Sequence, residues 1–388
     1  MADNKASGLE GVVALPSAVC RVDGANAKLF YRGVDVMELA KYSTFEETAF
    51  LLWYGYLPNR AQLSVLEERL ACCRDLPQGI TRIISTAGSE PAEPMEVLRT
   101  SISAMARFDP QGPVLRDQKA DLDLAVLLAA KLPVIIATFH RIRTGQEIIP
   151  PREDLNSAAN FLWMLTGEKP SDKQASILDK ALILHADHEL NASTFAARVA
   201  ASTLADIYAA VSAAMGALSG PLHGGANEDV MHMLEKIGDP AKTEQYVRDQ
   251  LAHGNKIPGF GHRVYKNLDP RGEALRPIVL ELYSSDPAQR PWYEMWQTVE
   301  AIMSEEKHHL HPNLDFFAAL VYRWLGIPTD LFTPVFACSR IVGWTTHILE
   351  QYANNRLIRP RAEYVGPMDV PYVPISDRSV EQDAEAAA

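Results

Sequence analysis

Apolar positions recur at helical spacing through most of this chain, and strict alternation of apolar and polar residues is rare. Before residue 43 there are two short β-like runs, Gly11-Val-Val-Ala14 and Lys28-Leu-Phe-Tyr31. Both lie between glycines, and they predict a small strand pair or hairpin. The period then turns helical. Ser43-Thr-Phe-Glu46 and Asn59-Arg-Ala-Gln62 both have capping-box spacing, so each predicts a helix start. The first opens a helix ending near Gly55, and the second opens one carrying Leu66, Leu70 and the Cys72-Cys73 pair. Further helices are predicted at roughly 79–87, 94–106, 121–142, 154–166 and 174–187, each punctuated by Pro, Gly or Asp.

Small residues dominate 192–218, so helices there can approach one another closely, in a core or at a subunit interface. Ser219-Gly-Pro-Leu-His-Gly-Gly225 interrupts the pattern and marks a domain boundary ahead of a helix at about 227–237. A polar stretch with Trp292 and Trp296 follows. Apolar helices at 316–325 and 332–352 flank a second break, Gly326-Ile-Pro328. From Asp377 the chain is acidic and alanine-rich without periodicity, which predicts a tail without fixed structure. There is no internal repeat. The pattern predicts an all-α protein with a minor N-terminal β hairpin.

Composition narrows the function classes. With 388 residues, 47% hydrophobic and 22% charged, the chain reads as an ordinary globular protein of more than one domain. A net charge of -12 argues against nucleic acid as the main partner, because a phosphate backbone demands a positive face. Any anionic substrate must be held by local cationic clusters. Cys20, Cys72, Cys73 and Cys338 show no CxxC spacing, which fits a reducing, cytoplasmic setting better than a disulfide framework. The N-terminus has no signal-peptide layout. The most lipid-like run, 122–139, is interrupted by Asp123, Lys131 and Pro133 and reads as a kinked buried helix, so no membrane partner is expected.

Several clusters could carry chemistry, and each has a structural alternative. Lys256-Ile-Pro-Gly-Phe-Gly-His-Arg-Val-Tyr-Lys-Asn-Leu-Asp-Pro-Arg271 combines backbone N–H groups, an imidazole and fixed positive charge. Between 256 and 276 five cations face two acids, a net +3, and 356–361 adds three arginines. Two arginine sites in an acidic protein suggest a dicarboxylate or phosphate ligand, or else solvated faces. Gly259-Phe-Gly261 is not a dinucleotide fingerprint, since the third glycine and a preceding strand are missing. His223 precedes a helix, where a neutral imidazole could donate to an oxyanion, or it is incidental to a glycine turn. Asp315 is an N-cap or a partly desolvated general base. Arg340, inside an apolar helix, calls for a buried anion or a polar seam. His185 and His188, with His223 and the run His308-His-Leu-His311, could instead form a histidine-ligated metal hydrolase site, although HxDHE is not a standard ligand pattern. A non-catalytic helical scaffold is the third reading.

The order of these motifs is more specific than any one of them. His188 in LHADHE, His223 in PLHGGAN, His262 in PGFGHRVYKNLDPR, Asp315 in PNLDF and Arg340 in FACSR resemble the citrate synthase family, from Gly8 to about Pro374. The resemblance implies a mainly helical homodimer in which a small domain, 220–326, closes on a large domain formed by 1–219 and 327–388. It implies acetyl-CoA and oxaloacetate as substrates, with no metal and no other cofactor. By position Asp315 would be the base, His223 the donor to the enol(ate) oxygen, and His262 the group polarising the ketone. His188, His262, Arg271 and Arg340 would hold oxaloacetate, with Arg359 supplied by the other subunit. Lys256, Ile257, Pro258, Gly259, Phe260, Gly261 and Lys266 would border CoA, Lys266 standing where some members carry arginine. Larger NADH-inhibited members have an extra N-terminal domain. This chain starts close to Gly8-Leu-Glu-Gly11, so a dimer without that control is expected. 2-Methylcitrate synthases share these motifs and accept propionyl-CoA; one methyl is worth only about 1–3 kcal/mol and leaves no local signature here.

Overall fold

The computed structural model describes residues 7–9, 11–112, 114, 117–284 and 286–378. The acidic tail expected to lack structure lies almost wholly outside them. Residues 358–378 belong to a unit of their own, without regular structure except for a single 3-10 turn at Ile375–Asp377.

The rest is helical apart from one small sheet. An antiparallel meander of β1 (Cys20–Asp23), β2 (Lys28–Tyr31) and β3 (Val34–Asp35) opens the fold. The predicted strand at 28–31 is present, but its partner is 20–23, with Cys20 opposite Tyr31, and not 11–14. Val12 and Val13 are exposed and bury nothing. The hairpin is set instead by Asp23, whose carboxylate accepts from the Asn26 backbone N–H at 3.1 Å.

Helices α1 (Val36–Tyr42), α2 (Phe45–Tyr54), α3 (Arg60–Cys72), α4 (Gln78–Gly88) and α5 (Pro94–Phe108) follow. Next come α6 (Gln118–Arg143), α7 (Ser157–Thr166), α8 (Asp172–His185), α9 (Ala192–Ser202) and α10 (Ile207–Leu218). Then α11 (Ala226–Ile237), α12 (Pro240–Ala252), α13 (Pro270–Ser284), α14 (Arg290–Glu306), α15 (Leu314–Trp324) and α16 (Phe332–Ala353) complete the chain. The capping box at Asn59 and Gln62 forms as expected. The one expected at Ser43 and Glu46 does not: Thr44 caps α2, and the Glu46 side chain accepts instead from the Ser157 N–H at 2.7 Å, at the start of α7.

Nearly every side chain of α16 is buried, and α6, α9, α10, α2 and α8 pack around it. The alanines of α9 and α10 let these two helices pack closely on each other and on α16, so much of their small-residue character serves the core. α6 has the length and apolarity to cross a bilayer, but 78% of its apolar window is buried inside the protein. Pro133 sits within it, and Lys131 donates to the Asp75 carbonyl. A second group, α11 to α15, has its own packing, with α13 and α11 on α15 and α12 on α14.

One buried acid carries a pH consequence. Both carboxylate oxygens of Asp179 accept from the Phe45 N–H at 3.2 Å, and Glu46 is 2% exposed. Burial, then Glu46, push Asp179 up to about 8. The folded chain therefore holds a proton that the unfolded chain releases near pH 4. This contribution is full below that pH and is lost as pH rises toward 8. Asp179→Asn keeps an acceptor for Phe45 and cannot ionise. We expect its thermal midpoint to exceed the parent's by a few degrees above about pH 8, since ~1 kcal/mol moves a chain this size by roughly 2 °C. Parallel pH curves for the two proteins would contradict this.

Candidate active site

Three irregular segments and three helices bring the predicted residues together. His188 lies just past the end of α8, His223 in the turn before α11, and His262 in the loop before α13. Asp315 and Arg271 occupy the first turns of α15 and α13, and Arg340 the middle of α16. The glycines of the His262 loop have positional reasons. Gly259 has φ +82°, and a Cβ there would lie 2.8 Å from Val230 and 2.9 Å from Phe316. This close approach lets Gly259 accept from the Asn313 N–H at 2.9 Å, while the Gly261 N–H donates to His311 at 2.8 Å. The loop carrying His262 is thus pinned to the segment that starts α15 and carries Asp315. Asp269 adds a second tie. Its carboxylate accepts from Arg271 Nε at 3.0 Å and Nη2 at 2.8 Å, and from the Leu314 N–H at 3.2 Å.

His223 is held differently. A Cβ on Gly224 would lie 2.3 Å from the Leu218 carbonyl oxygen, and the Gly224 carbonyl accepts from the Thr333 hydroxyl at 3.1 Å. The turn that carries His223 is therefore seated through Gly224 against the start of α16.

The hydrogen bonds define the proton on each of two candidate imidazoles, His262 and His223. The N–H groups of Val264 and Tyr265 both donate to His262 Nδ1, at 3.0 and 3.2 Å. That nitrogen is an acceptor, so the proton of the neutral ring sits on Nε2. His223 is the mirror case. The Ser193 N–H donates to its Nε2 at 3.2 Å, and the Ser193 hydroxyl lies 2.8 Å away, which leaves the proton on Nδ1. The Ser193 hydroxyl oxygen in turn accepts from the Trp344 indole at 3.0 Å. Burial first, then Arg340, lower His223 to about 4; burial, then Arg271, lower His262 to about 4. Both rings are neutral N–H donors at pH 7. The depression comes from desolvation and arginine, where the sequence suggested a helix terminus.

The His188 ring lies 5.0 Å from that of His262, and its Nε2 is 3.2 Å from the Tyr265 hydroxyl. Burial, then Arg271, holds it well below the usual imidazole range. Arg340 is 2% exposed, donates through Nε to the His185 carbonyl at 2.7 Å and stacks on Phe336. Among the described residues its two terminal nitrogens meet no hydrogen-bond acceptor. Arg271 keeps Nη1 similarly uncommitted, while Asp269 keeps it charged against burial. Asp315 is not the cap of α15; Asn313 is, accepting from the Asp315 N–H at 3.0 Å. Its half-buried carboxylate makes no hydrogen bond among the described residues. Burial raises it to about 6 although Arg271 and Arg340 pull the other way.

One electrostatic neighbourhood therefore joins the set. Arg340 acts on His188, His223 and Asp315, and Arg271 acts on His188, His262 and Asp315. Lys256 and Lys266 are exposed at the loop's edges, Ile257 and Gly259 are buried, and Pro258, Phe260 and Gly261 are half-buried. Phe260 packs on Phe316 at 4.6 Å. Arg359 is exposed in the separate 358–378 unit. Arg276, counted among the cations of the loop, is occupied by Glu273 and by Glu300 on α14. Ser193, Trp344, Tyr265 and Asp269 were not singled out as functional from the sequence. Only Asp269 carried a local signal there, two residues before Arg271.

The histidine metal site is not assembled. His185 Nδ1 is 2.7 Å from the Ala181 carbonyl, and His308 and His309 are exposed on the turn between α14 and α15. Among the described residues no three His, Cys, Asp or Glu side chains form a metal-holding group.

Comparison with known proteins places this arrangement in a family. The model for the citrate synthase C-terminal domain matches residues 8–361. Citrate synthase 2 of Bacillus subtilis is 48% identical over 372 residues, 96% of this chain and 99% of that protein. The 2-methylcitrate synthase of Shewanella oneidensis is 40% identical, covering 96% and 98%. A Thermoplasma acidophilum citrate synthase, solved as a ternary complex with carboxymethyl coenzyme A and oxaloacetate, superposes with a TM-score of 0.89. It is 33% identical, over 96% of this chain and 98% of that one. With site geometry and near-complete coverage in agreement, this chain belongs to the citrate synthase family.

Proposed function

We propose that the protein condenses the methyl carbon of acetyl-CoA with oxaloacetate and hydrolyses the resulting thioester to citrate and CoA. The observation that carries this is the pair of neutral imidazoles with opposite tautomers, held beside an unpartnered carboxylate. Oxaloacetate brings two carboxylates and a ketone. Arg340 and Arg271 offer their free guanidinium N–H groups to the carboxylates, alongside His188. His262 Nε2–H donates to the ketone oxygen. Asp315 removes a methyl proton from the thioester while His223 Nδ1–H donates to the thioester oxygen as it gains enolate charge. The new C–C bond forms between the methyl carbon and the ketone carbon, and the ketone oxygen takes a proton. Water then adds to the thioester carbonyl and the CoA thiol leaves.

A carboxylate is a weak base for such a C–H, so removal is credible only where the enolate oxygen is stabilised at once in a dry site. Neutral donors fit this better than imidazolium, because they can take up developing charge without repelling Arg340. The chemistry draws on arginine charge and histidine protons and calls for no metal or further cofactor. Closure of 220–326, the part containing α11 to α15, over the rest would exclude water and protect the thioester.

The same reading includes a homodimer in the cytoplasm. By itself the 358–378 segment exposes Tyr364, Val365, Met368, Val370, Tyr372 and Ile375, an apolar run that calls for a partner surface. A second copy of the chain would cover it and bring Arg359 to the partner's site. The four cysteines are free, as a reducing compartment requires. Exposed Lys256 and Lys266, at the edges of 256–266, suit the phosphates of CoA.

Comparing acetyl-CoA with propionyl-CoA, each with saturating oxaloacetate, tests the substrate. Higher kcat/KM for acetyl-CoA is expected; higher kcat/KM for propionyl-CoA would make the protein a 2-methylcitrate synthase.

A further inference from the structure

The β1–β2 turn meets the loop that carries His262, and it does so through a glycine. Asp23 fixes the turn, accepting from the Asn26 N–H at 3.1 Å and from its side-chain amide at 2.9 Å. The Gly24 carbonyl then faces the Lys266 N–H at 3.5 Å. A Cβ on Gly24 would stand 2.3 Å from the Val264 carbonyl oxygen, 2.9 Å from its carbon and 3.1 Å from Cγ1. Ordinary contact begins at 3.4 Å, so any side chain here displaces the Val264 backbone or the hairpin by about 1 Å. Gly24 is outside the left-handed region, so its own backbone would accept alanine. The obstacle is Val264.

That backbone belongs to the turn that defines His262. The N–H of Val264 is one of the two donors to His262 Nδ1, and the other comes from Tyr265, whose hydroxyl reaches His188. Pushing Val264 shifts the contacts that select the His262 tautomer, together with the hydroxyl that orients His188.

We propose that Gly24 is a positioning residue for the condensation, letting the hairpin tip seat flush on Val264 and so setting how His262 and Tyr265 enter the site. The assignment rests on His262 acting as the ketone donor. It goes beyond the residues that touch substrate, because Gly24 acts only through Val264.

Gly24→Ala and the neighbouring control Ala25→Ser, at an exposed position, separate positioning from folding. Each is measured for oxaloacetate-dependent thiol release and for thermal unfolding. Gly24→Ala is expected to stay folded with a midpoint only a few degrees below the parent's, since alanine fits the local backbone and displacing Val264 costs no more than ordinary overpacking, and activity is measured well below that midpoint. Its kcat/KM should fall at least tenfold, as about 1 Å of misplacement can cost up to a hundredfold. The loss should lie mainly in kcat at saturating oxaloacetate, and Ala25→Ser should match the parent. Wild-type kinetics in Gly24→Ala overturn the positioning role, and so does an activity loss that merely tracks a lowered midpoint. If the parent itself shows no oxaloacetate-dependent release, the proposed reaction fails and the Gly24 role with it. A fully active Gly24→Ala beside an active parent removes the Gly24 role alone.

Discussion

Asp315→Ala is expected to abolish condensation while oxaloacetate still binds. General-base catalysis is worth about 10²–10⁴-fold, and no other carboxylate occupies this position, so kcat should drop by at least ~10³. Oxaloacetate affinity by calorimetry should stay within about threefold, because the carboxylate sits among Arg271 and Arg340 without bonding either of them. The parent's pH profile carries a matching signature. The base works only when ionised, and burial raises it from the ordinary 3.8 to about 6. Activity is therefore lost as pH falls through about 6, well above where an unshifted carboxyl would fail. Turnover in the alanine variant equal to the parent's would remove Asp315 from its role.

The second large effect belongs to Arg340. Among the described residues its terminal nitrogens, like Arg271 Nη1, meet no acceptor, and Arg340→Gln takes away their charge. Losing one member of a buried charge pair costs about 2–4 kcal/mol, so oxaloacetate should bind roughly thirty- to a thousandfold more weakly. The substitution also lifts a positive charge from Asp315 and His223, both of which it pulls down. The acid limb of the pH profile should then move to higher pH in the variant, which a merely loosened helix would not produce. Unchanged oxaloacetate affinity would contradict the clamp.

Much of this could be read from the chain because it is local. Helix periods located α6 and α16, Asn59 and Gln62 announced their capping box, and Gly55 ended α2. The order of His188, His223, His262, Asp315 and Arg340 pointed to the family before any coordinate was known. What escaped depends on partners far away in sequence. β1 was missed because four residues, Cys20–Asp23, are too short a run for their alternation to stand out, and because Asp23 sets the turn through its side chain. Glu46 left the cap of its own helix for Ser157, 111 residues on. Arg276 looked free for an anion because Glu300 lies 24 residues further along. Ser193 and Trp344 serve His223 from two other helices, and Gly24 matters only because Val264 lies against it. Local chemistry singled out the candidate groups, and tertiary contacts decided their protonation.

In the proposed reaction one site joins a thioester and a ketone through Asp315, His223 and His262. Free-thiol release from acetyl-CoA, followed with and without oxaloacetate, decides whether it does. Release that depends on oxaloacetate, yields citrate and vanishes in Asp315→Ala is the predicted result. No oxaloacetate-dependent release from either acetyl-CoA or propionyl-CoA would contradict it.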